Sequence, residues 1–396
     1  NVVDISHQRI SDWNNKDLTK LPIYEPGLAE IIKRCRGNNL HFSMEIEKNI
    51  KKADMIFISV NTPTKKEGIG AGKASDLTYI EKATREIAKL SQGHTIIVEK
   101  STLPVRTADT IKQILLNSKE NHNISDEIST FDVLSNPEFL AEGNAINNLN
   151  YPDRILIGGE SKDAINSLKE IYLNWVEESK IITTNLWSSE LSKLAANAFL
   201  AQRVSSINSL SALCEASGAD IQEVKKAISS DSRIGNKFLN PGPGFGGSCF
   251  KKDVLNLIYL SEFYGLDEVA EYWTKVLDIN KWQTDRIIKQ VFLKLFGTIS
   301  GKKIAVLGFA FKANTNDTRE SPAIEICKKL IQEGAYLNIY DPRVKKIQIE
   351  KDLGNNYLQS DQSKSSWNSL DNVYLAVENA DALLILTEWS EFDNLN

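Results

Sequence analysis

Short runs of β-branched and aliphatic residues, separated by polar stretches of helical character, constrain the fold of this chain most strongly. In the first half, such runs occupy residues 56–60, 95–99, 131–134 and 154–157, and a helical stretch over 76–91 lies between the first two. Apolar runs of this length that alternate with helices are typical of parallel strands buried between two layers of helix. We therefore predict a doubly wound α/β domain over residues 1–186.

The pattern changes near residue 187. Residues 187–295 have a helical character throughout, and the stretch 191–216 is apolar around most of its circumference, ending before Gly218. Ser188, Ser189 and Glu190 have the composition of a helix N-terminus. A helix this apolar must be buried between domains or across a subunit interface. We predict a central helical domain over 187–296.

A second strand–turn–helix pattern follows. Strand-like runs at 303–311, 337–341 and 382–387 surround a helical stretch at 323–333. We predict an incomplete second domain of the same α/β type over residues 297–396.

Composition excludes several classes of protein. The formal net charge of the 396 residues is -5, with no basic stripe, so we expect no nucleic-acid partner. The apolar runs are strand-sized, so no membrane span is expected. Four cysteines without CxxC spacing indicate a reducing, cytoplasmic protein, and four scattered histidines give no support to a metal site.

The strongest local signal is the glycine-rich loop over residues 242–248 and the residues after it. Cys249 follows the glycines and comes just before a helical run, so its thiolate would be stabilised by the helix N-terminus. Lys251 and Lys252 add positive charge, and Asp253 shares a helix face with the cysteine. The alternative is a small buried side chain after a flexible loop. Cys214 and Cys327 lie in apolar helical stretches, and we expect them in the core.

Lys193 and Asn197 form a second signal. They are four residues apart, so they stack on one face of the apolar helix. A buried lysine needs a partner or a task, and together the pair could donate hydrogen bonds to an oxyanion. The alternative is a snorkelling lysine beside an asparagine that only packs.

Polar loops follow three of the predicted strands, at residues 60–64, 99–104 and 135–143. Ligands bind at the carboxyl ends of such strands. Glu138 and Glu142 are candidate acid–base groups there, or ordinary surface carboxylates. Asp4 ends a short apolar run, as does the acid that binds the ribose of a dinucleotide; the alternative is a surface acid. The glycine-rich turn that usually precedes this acid is absent, and we infer that about 30 residues are missing before Asn1.

These signals are consistent with one chemistry. A thiolate that adds to an aldehyde gives a hemithioacetal, and its oxidation gives a thioester that water can open. A dinucleotide-binding protein with such a cysteine can take an alcohol to an acid in one site, with two hydride transfers.

At this point the sequence resembles a known family, the nucleotide-sugar 6-dehydrogenases of the UDP-glucose/GDP-mannose dehydrogenase family, and within it the animal-type UDP-glucose enzymes. The resemblance runs along nearly the whole chain and is carried by the strings at 21–28, 57–64, 135–143, 187–202, 235–239, 244–250, 308–312 and 317–321. It implies two Rossmann-like domains, an N-terminal one for NAD and a C-terminal one for the UDP-sugar, on either side of the central helical domain.

The family's roles carry over residue by residue. The resemblance assigns the chemistry to Cys249 as nucleophile, Lys193 and Asn197 as oxyanion donors, Asp253 as the group that holds a water or the lysine, Glu138 as general base and Thr102 as its helper. It assigns NAD binding to Asp4, Arg9, Val60, Asn61, Thr62, Pro63, Thr64, Ser101, Thr102, Leu103, Glu142 and Arg319. It assigns substrate binding to Glu138, Phe139, Leu140, Ala141, Glu142, Lys193, Asn197, Arg233, Asn240, Phe245, Gly246, Phe311 and Lys312.

The implied reaction converts UDP-glucose, two NAD and water into UDP-glucuronate and two NADH. Arg233 is expected to serve the neighbouring subunit, and the family implies dimers that build into hexamers. Asn240 and Pro241 depart from the family, whose members often have lysine and a small residue there. Without the glycine-rich turn, we expect weak NAD binding.

Three alternatives stay open at this stage. The substrate could be GDP-mannose or a UDP-N-acetyl sugar, which sister enzymes of the family oxidise. A two-electron hydroxyacid dehydrogenase would need no cysteine. The chain could also be a truncated, catalytically silent subunit that assembles with full-length partners.

Overall fold

The computed structural model describes residues 1–102, 104–120, 129–354, 357–358 and 361–395, with only the backbone at 118–120, 357–358 and 361–365. The chain divides into two compact units, Asn1–Ala196 and Asn197–Asn396. The division falls inside one long helix, α8 (Leu186–Ser217). The domain boundaries expected at 186/187 and 296/297 stay a prediction.

The first unit contains a five-stranded sheet with helices on both faces and a separate two-stranded sheet. Its strands are β1 (Val2–Val3), β2 (Phe42–Ser43), β3 (Met55–Ile58), β4 (His94–Glu99), β5 (Thr130–Ser135), β6 (Ile155–Gly158) and β7 (Ile181–Thr184). Its helices before α8 are α1 (His7–Trp13), α2 (Leu28–Cys35), α3 (Ile46–Ile50), α4 (Thr78–Leu90), α5 (Thr107–Glu120), α6 (Ala145–Asn150) and α7 (Lys162–Leu173). Strands β3 to β7 lie side by side in sequence order, and β1 pairs with β2 in parallel.

Burial on both faces explains why the strands are apolar without interruption. Ile97 and Val98 are neighbours on β4 and point to opposite faces, yet neither is exposed to solvent. Ile97 packs in one cluster with Ile111 of α5, and Val98 packs in another with Leu168 of α7. This confirms the prediction that helices cover both faces of the sheet.

The prediction that all these strands are parallel is wrong at one place. Strand β6 runs antiparallel to β5, pairing Ser135 with Gly158, and then pairs in parallel with β7. A parallel neighbour requires a connection that returns along the whole strand, usually a helix. The connection here contains only the six-residue helix α6, which is about 9 Å long at 1.5 Å per residue.

The second unit contains the rest of α8 and the remaining elements. The helices are α9 (Ile221–Ser229), α10 (Phe250–Phe263), α11 (Asp267–Lys294), α12 (Pro322–Gln332), α13 (Lys346–Leu353) and α14 (Val373–Val377). The strands are β8 (Lys303–Leu307), β9 (Tyr336–Tyr340), β10 (Tyr357–Leu358), β11 (Asp361–Ser365), β12 (Trp367–Ser369) and β13 (Ala382–Ile385). A parallel sheet has the order β12-β9-β8-β13, which confirms a second βαβ unit.

Two expectations about the central region are wrong. Residues 230–249 form no helix, so the region is not helical throughout. Glycine and proline are frequent there, and both oppose helix formation. Helix α8 begins at Leu186 rather than at the serines, because Asn185 Oδ1 accepts a hydrogen bond of 2.8 Å from the Ser188 amide and occupies the cap position.

The described ranges lack two kinds of feature. No helix there is long and apolar enough to cross a membrane. Likewise, no group of three or more histidine, cysteine, aspartate or glutamate side chains in that part of the chain could hold a metal ion.

Gly308 gives a test of the packing of the second unit. It follows β8 with φ +90°, and a Cβ there would lie 2.6 Å from Thr387 Oγ1 and 2.7 Å from its amide nitrogen. We expect Gly308→Ala to lower the free energy of unfolding by about 3 kcal/mol, through backbone strain and overpacking. Urea unfolding measures this change.

Gly242→Ala is the matched control. A Cβ at Gly242 has nothing within 4 Å and its φ is ordinary, so stability should be unchanged or slightly higher. Equal unfolding midpoints for the two variants would contradict the close approach at Gly308.

Candidate active site

Cys249 lies at the N-terminus of a helix, as predicted. It is the N-cap residue of α10, and its carbonyl accepts the first intrahelical hydrogen bond, 2.8 Å from the Asp253 amide. Its Sγ lies 3.5 Å from Ser248 Oγ. Backbone amides at a helix N-terminus favour a thiolate. The position therefore suits a nucleophile.

The four cysteines, all of which the structure describes, are free thiols with different surroundings. Cys249 is partly exposed, whereas Cys214 and Cys327 are buried, which confirms the two core assignments. Burial raises the pKa of the Cys327 thiol to about 12. Only the thiolate attacks a carbonyl, so Cys327 is inert at neutral pH while Cys249 is accessible.

The glycines before Cys249 are required by a close approach of backbone. A Cβ on Gly246 would lie 2.5 Å from the Glu320 carbonyl oxygen, and a Cβ on Gly247 would lie 2.9 Å from the Phe311 ring. The Gly247 amide also donates to the Arg319 carbonyl at 2.8 Å. The loop is therefore packed against residues 311–320. This brings together the predicted substrate residues Gly246 and Phe311.

A second contact holds the start of the loop. Asn280 of α11 accepts a hydrogen bond from the Phe245 amide at 2.8 Å and donates to the Phe245 carbonyl at 3.1 Å. Phe245 packs in the apolar cluster that also contains Val254 of α10. The backbone that leads to Cys249 is thus fixed at both ends.

Asn197 and Asp253 form a buried pair beside this loop. The Asn197 amide nitrogen donates to Asp253 Oδ2 at 2.6 Å, and Asp253 is only 1% exposed. Lys252 Nζ lies 3.9 Å from Asp253 Oδ1. An asparagine amide has two N–H donors, so one remains for a ligand while Asp253 fixes the other. Asp253 thus orients Asn197, and its expected role of holding a water or the lysine stays a prediction.

Two predicted ligand-binding arginines are each paired with an aspartate two residues earlier. Arg319 makes bonds of 3.0 Å from Nε and 2.6 Å from Nη2 to Asp317. Arg233 binds Asp231 in the same way, with Nη2 at 2.6 Å, and is largely exposed. An exposed ion pair contributes only about 0–1 kcal/mol, so an anionic ligand can displace Asp231 from Arg233.

The remaining predicted substrate residues of the second unit lie at its surface. Lys312 Nζ is 5.5 Å from the centre of the Phe311 ring. The Asn240 side chain accepts a hydrogen bond from Lys225 Nζ. A neighbouring lysine thus reaches the position where relatives often have their own.

The expected NAD residues of the first unit lie at strand ends. Asp4 directly follows β1; its Oδ1 accepts from the Ser6 amide at 2.8 Å, and its Oδ2 is 3.4 Å from Arg9 Nη1. Ser101 Oγ donates to the Val60 carbonyl at 2.8 Å. These contacts place an acid at the end of β1 and join the loops that follow β3 and β4.

The same loops have a second link. Thr62 Oγ1 donates to the Thr102 carbonyl at 3.0 Å, and the Pro63 carbonyl accepts from the Asp76 amide at 2.7 Å. Asn61 and Thr64 belong to the same loop, and Leu103 lies outside the described residues. An acid that can accept from the ribose hydroxyls and polar loops at parallel strand ends are part of the set of groups that binds a dinucleotide, so these residues fit NAD.

Glu138 and Lys193 are neighbours in the first unit. Lys193 Nζ lies 3.4 Å from Glu138 Oε1, and the Leu140 amide donates to Glu138 Oε2 at 2.7 Å. Lys193 is only 4% exposed, which excludes the snorkelling alternative. The Phe139 ring lies 5.2 Å from Lys193 Nζ and 3.9 Å from the Arg154 guanidinium carbon. The carboxylate is held beside a buried cation.

The loop after Glu138 is fastened by a residue that sequence reasoning did not assign. Glu25 accepts hydrogen bonds from the Gly143 and Ala145 amides at 2.8 and 2.5 Å. The Ala141 amide donates to Asn148 at 3.0 Å, and Glu142 is half-buried. The sequence did contain a signal for Glu25. This acid lies between a tyrosine and a proline in the string at 21–28, which is one of those that carry the family resemblance.

Sequence reasoning also missed a buried carboxyl pair, Glu99 and Glu190. Glu190 accepts hydrogen bonds from the amides of Arg106 and Ala108, at 2.7 and 2.8 Å, and so caps α5. Burial raises the pKa of Glu190 to about 7 and that of Glu99 well above its ordinary value, and each interacts with the other. Two buried carboxyls this close retain a proton.

The chain matches three domains of one family along most of its length. Residues 1–176 match the NAD binding domain of the UDP-glucose/GDP-mannose dehydrogenase family, 187–282 its central domain and 305–396 its UDP binding domain. An alpha/beta fold with a cysteine at a helix N-terminus is consistent with an oxidoreductase that uses a dinucleotide. The chain belongs to the UDP-glucose/GDP-mannose dehydrogenase family.

Individual relatives agree. UDP-glucose 6-dehydrogenase 3 of Oryza sativa subsp. japonica is 54% identical over 409 residues, which cover all of this chain and 83% of the relative. UDP-glucose 6-dehydrogenase 4 of Arabidopsis thaliana is 52% identical over 413 residues, with the same coverage. The solved structure of a UDP-glucose dehydrogenase from Pyrobaculum islandicum superposes with a TM-score of 0.86 at 29% identity, covering all of this chain and 85% of that one. The animal-type subgroup stays a prediction, since these two close relatives are plant enzymes.

The buried carboxyl pair gives a test of the first unit. Folded Glu190 keeps its proton up to about pH 7, whereas a free glutamate loses it near 4.5, so the pair should make stability fall as pH rises between these values. Glu190→Gln removes the titration. We expect the variant to gain on the order of 2 kcal/mol relative to the wild type between pH 5 and pH 8, as measured by urea unfolding.

Glu170→Gln is the control, because Glu170 is exposed on α7. It should leave the pH dependence of stability unchanged. A Glu190→Gln variant with the wild-type pH dependence would show that no proton is held by this pair.

Proposed function

We propose that this chain oxidises UDP-glucose to UDP-glucuronate with two NAD and one water, through a thioester on Cys249. The observation that carries the proposal is the position of that thiol at the N-cap of α10, on a loop fixed by backbone contacts. The plant relatives named UDP-glucose 6-dehydrogenases, and the family's NAD and UDP binding domains, support the same substrate and cofactor.

The residues for NAD would be those that the family resemblance implies, Arg319 among them, and those of the first unit lie at strand ends. When bound, NAD accepts a hydride from C6 of the sugar in each oxidation. Asp4 would accept hydrogen bonds from the adenosine ribose, because its carboxylate directly follows β1. Glu142 and the loops at 60–64 and 101–103 would line the rest of the cofactor.

The cysteine takes part after the first oxidation. Loss of a hydride from C6 and of the hydroxyl proton gives an aldehyde. The Cys249 thiolate then forms a bond from sulfur to C6, and the carbonyl oxygen becomes an oxyanion. Loss of a second hydride from the same carbon restores the carbonyl and gives a thioester.

Lys193 and Asn197 would stabilise that oxyanion. Lys193 is a buried cation, and Asn197 presents one N–H while Asp253 holds the other. Donors that are already oriented stabilise developing charge without reorganisation. Asp253 therefore acts as a positioning residue for Asn197.

Glu138 would be the general base that opens the thioester. It removes a proton from water as the oxygen bonds to C6, the bond from carbon to sulfur breaks, and the Cys249 thiolate is regenerated. Thr102 would help to hold this water. The Leu140 amide fixes one carboxylate oxygen of Glu138.

The sugar nucleotide would be held by the residues that the family implies, namely Phe139 to Glu142, Lys193, Asn197, Arg233, Asn240, Phe245, Gly246, Phe311 and Lys312. We propose that the chain assembles into dimers that build into hexamers. We also propose a cytoplasmic location, which the four free thiols support.

Cys249→Ser is the principal test. We expect UDP-glucuronate formation to fall by on the order of 10³-fold or more, because a hydroxyl is a far weaker nucleophile at neutral pH. The measurements are NADH release and mass spectrometry of the product, with GDP-mannose and a UDP-N-acetyl sugar as competing substrates. Intact-mass analysis of quenched wild-type protein should find an acyl adduct on Cys249.

Cys35→Ser is the matched control, since Cys35 is a partly exposed thiol in the first unit and should not affect turnover. Normal acid formation by Cys249→Ser would refute the thioester route. A faster reaction with another nucleotide sugar would instead identify that compound as the substrate, and the chain would still be a dehydrogenase of the same family.

The role of Arg233 is tested by mixing subunits. Arg233→Ala and Cys249→Ala should each be inactive if Arg233 serves the partner's site. Random exchange in a dimer leaves one intact site in half of the molecules, so co-refolded mixtures should recover about a quarter of wild-type activity. No recovery in mixtures that sediment as dimers would place Arg233 in its own subunit's site.

A further inference from the structure

Lys100 is a largely buried lysine to which neither the family resemblance nor the proposed function gives a role. It directly follows β4, and its Nζ donates to Asn136 Oδ1 at 2.9 Å and to the Tyr172 hydroxyl at 3.2 Å. The amine lies 5.9 Å from the centre of the Tyr172 ring. A buried lysine is costly, so its retention needs a physical reason.

The partners of Lys100 are themselves fixed. The Tyr172 hydroxyl donates to Asn136 Oδ1 at 2.6 Å, and the Asn136 side-chain nitrogen donates to the Leu156 carbonyl at 2.7 Å. The Asn136 amide donates to the Glu99 carbonyl at 2.9 Å. These bonds come from β4, β5, β6 and α7, so the ammonium is held by the sheet itself.

Lys100 and Glu138 line the same cavity of about 110 Å³, together with Phe139, Asp153, Arg154 and Tyr172. The charged and titratable groups that face the amine are therefore Glu138, Asp153, Arg154 and Tyr172 in the cavity, and Lys193 beside Glu138. Burial lowers the pKa of Lys100 to about 8; the Glu138 carboxylate opposes that change, and Lys193 adds to it. Burial also raises the pKa of the Tyr172 hydroxyl, so it stays neutral.

We propose that Lys100 is a positioning residue for Glu138: its ammonium acts with that of Lys193 to attract the carboxylate in the cavity that Lys100 and Glu138 share, and so orients it as a base. The inference rests on the proposed role of Glu138 in thioester hydrolysis. Below about pH 8 Lys100 is a cation in the cavity that Glu138 also lines, and above that pH its charge is lost. Hydrolysis of the acyl-enzyme should then decline on the alkaline side as Lys100 loses its proton.

The experiment is a single-turnover measurement across pH with UDP-glucose and NAD, following NADH and the acyl adduct on Cys249 by quenched intact mass. We expect Lys100→Met to accumulate the thioester and to lose the alkaline decline near pH 8. Its hydrolysis at neutral pH should be slower than that of the wild type, because the carboxylate has lost a neighbouring cation that orients it.

Lys100→Arg is the conservative variant. An arginine stays charged throughout this pH range. Lys100→Arg should therefore hydrolyse the acyl-enzyme rapidly at neutral pH and keep that rate above pH 8. Tyr172→Phe controls for packing. It removes a hydroxyl that contacts the amine but removes no charge, so the pH profile of acyl-enzyme hydrolysis should keep its wild-type shape. If Lys100→Met does not fold, the profile of Lys100→Arg decides alone, and an unchanged alkaline decline overturns the proposal.

Glu138→Gln separates this inference from the proposed function. If Glu138→Gln accumulates the thioester but the pH profile of hydrolysis in Lys100→Met matches that of the wild type, only the role of Lys100 is refuted. No accumulation in Glu138→Gln refutes the role of Glu138, and the inference with it.

Discussion

One face of α8 carries polar side chains that are buried, and each requires a partner there. Glu190, Lys193 and Asn197 are three and four residues apart, so they lie along one side of the helix. Each is at most 6% exposed. A buried polar group without a partner costs several kcal/mol, on the order of 2–7, so the helix imposes strict requirements on its surroundings.

Each of these three side chains has its partner within its own unit. Glu190 caps α5, Lys193 pairs with Glu138, and Asn197 donates to Asp253, one turn into the helix that begins at Cys249. In the first unit the helix thereby fixes Glu138, and in the second it fixes Asp253 near the start of α10. A helix with an apolar surface would pack equally well and position neither.

Most of the fold could be predicted from the sequence, because its strands are buried on both faces and its glycines lie where turns are needed. The parallel cores of both sheets, the N-cap position of Cys249 and the burial of Cys214 and Cys327 all followed from local patterns. The reversal of β6 did not, because strand direction depends on the path of the connection and not on the composition of the strand. The start of α8 was placed too late because Asn185, rather than a serine, forms the cap.

The site was predictable only in part. Cys249, Lys193 and Asn197 were visible because a thiol at a helix start and charged or amide groups on an apolar helix are locally unusual. Lys100 and Glu25 were not singled out, and Glu190 was assigned only to a helix N-terminus, because their partners are distant in sequence and a lone lysine or glutamate looks like any solvated one. Recognition of uridine came from the resemblance and not from physical reasoning.

The contact between the glycine loop and residues 311–320 has a mechanical consequence. Gly246 and Gly247 touch the backbone and ring of that segment with no side chain between, and the Gly247 amide is bonded to the Arg319 carbonyl. Neither stretch can slide without displacing the other. The Cys249 thiol is therefore linked to the stretch that carries Phe311 and Arg319, and a displacement of that stretch is transmitted to the thiol through the Phe311 ring and the loop backbone.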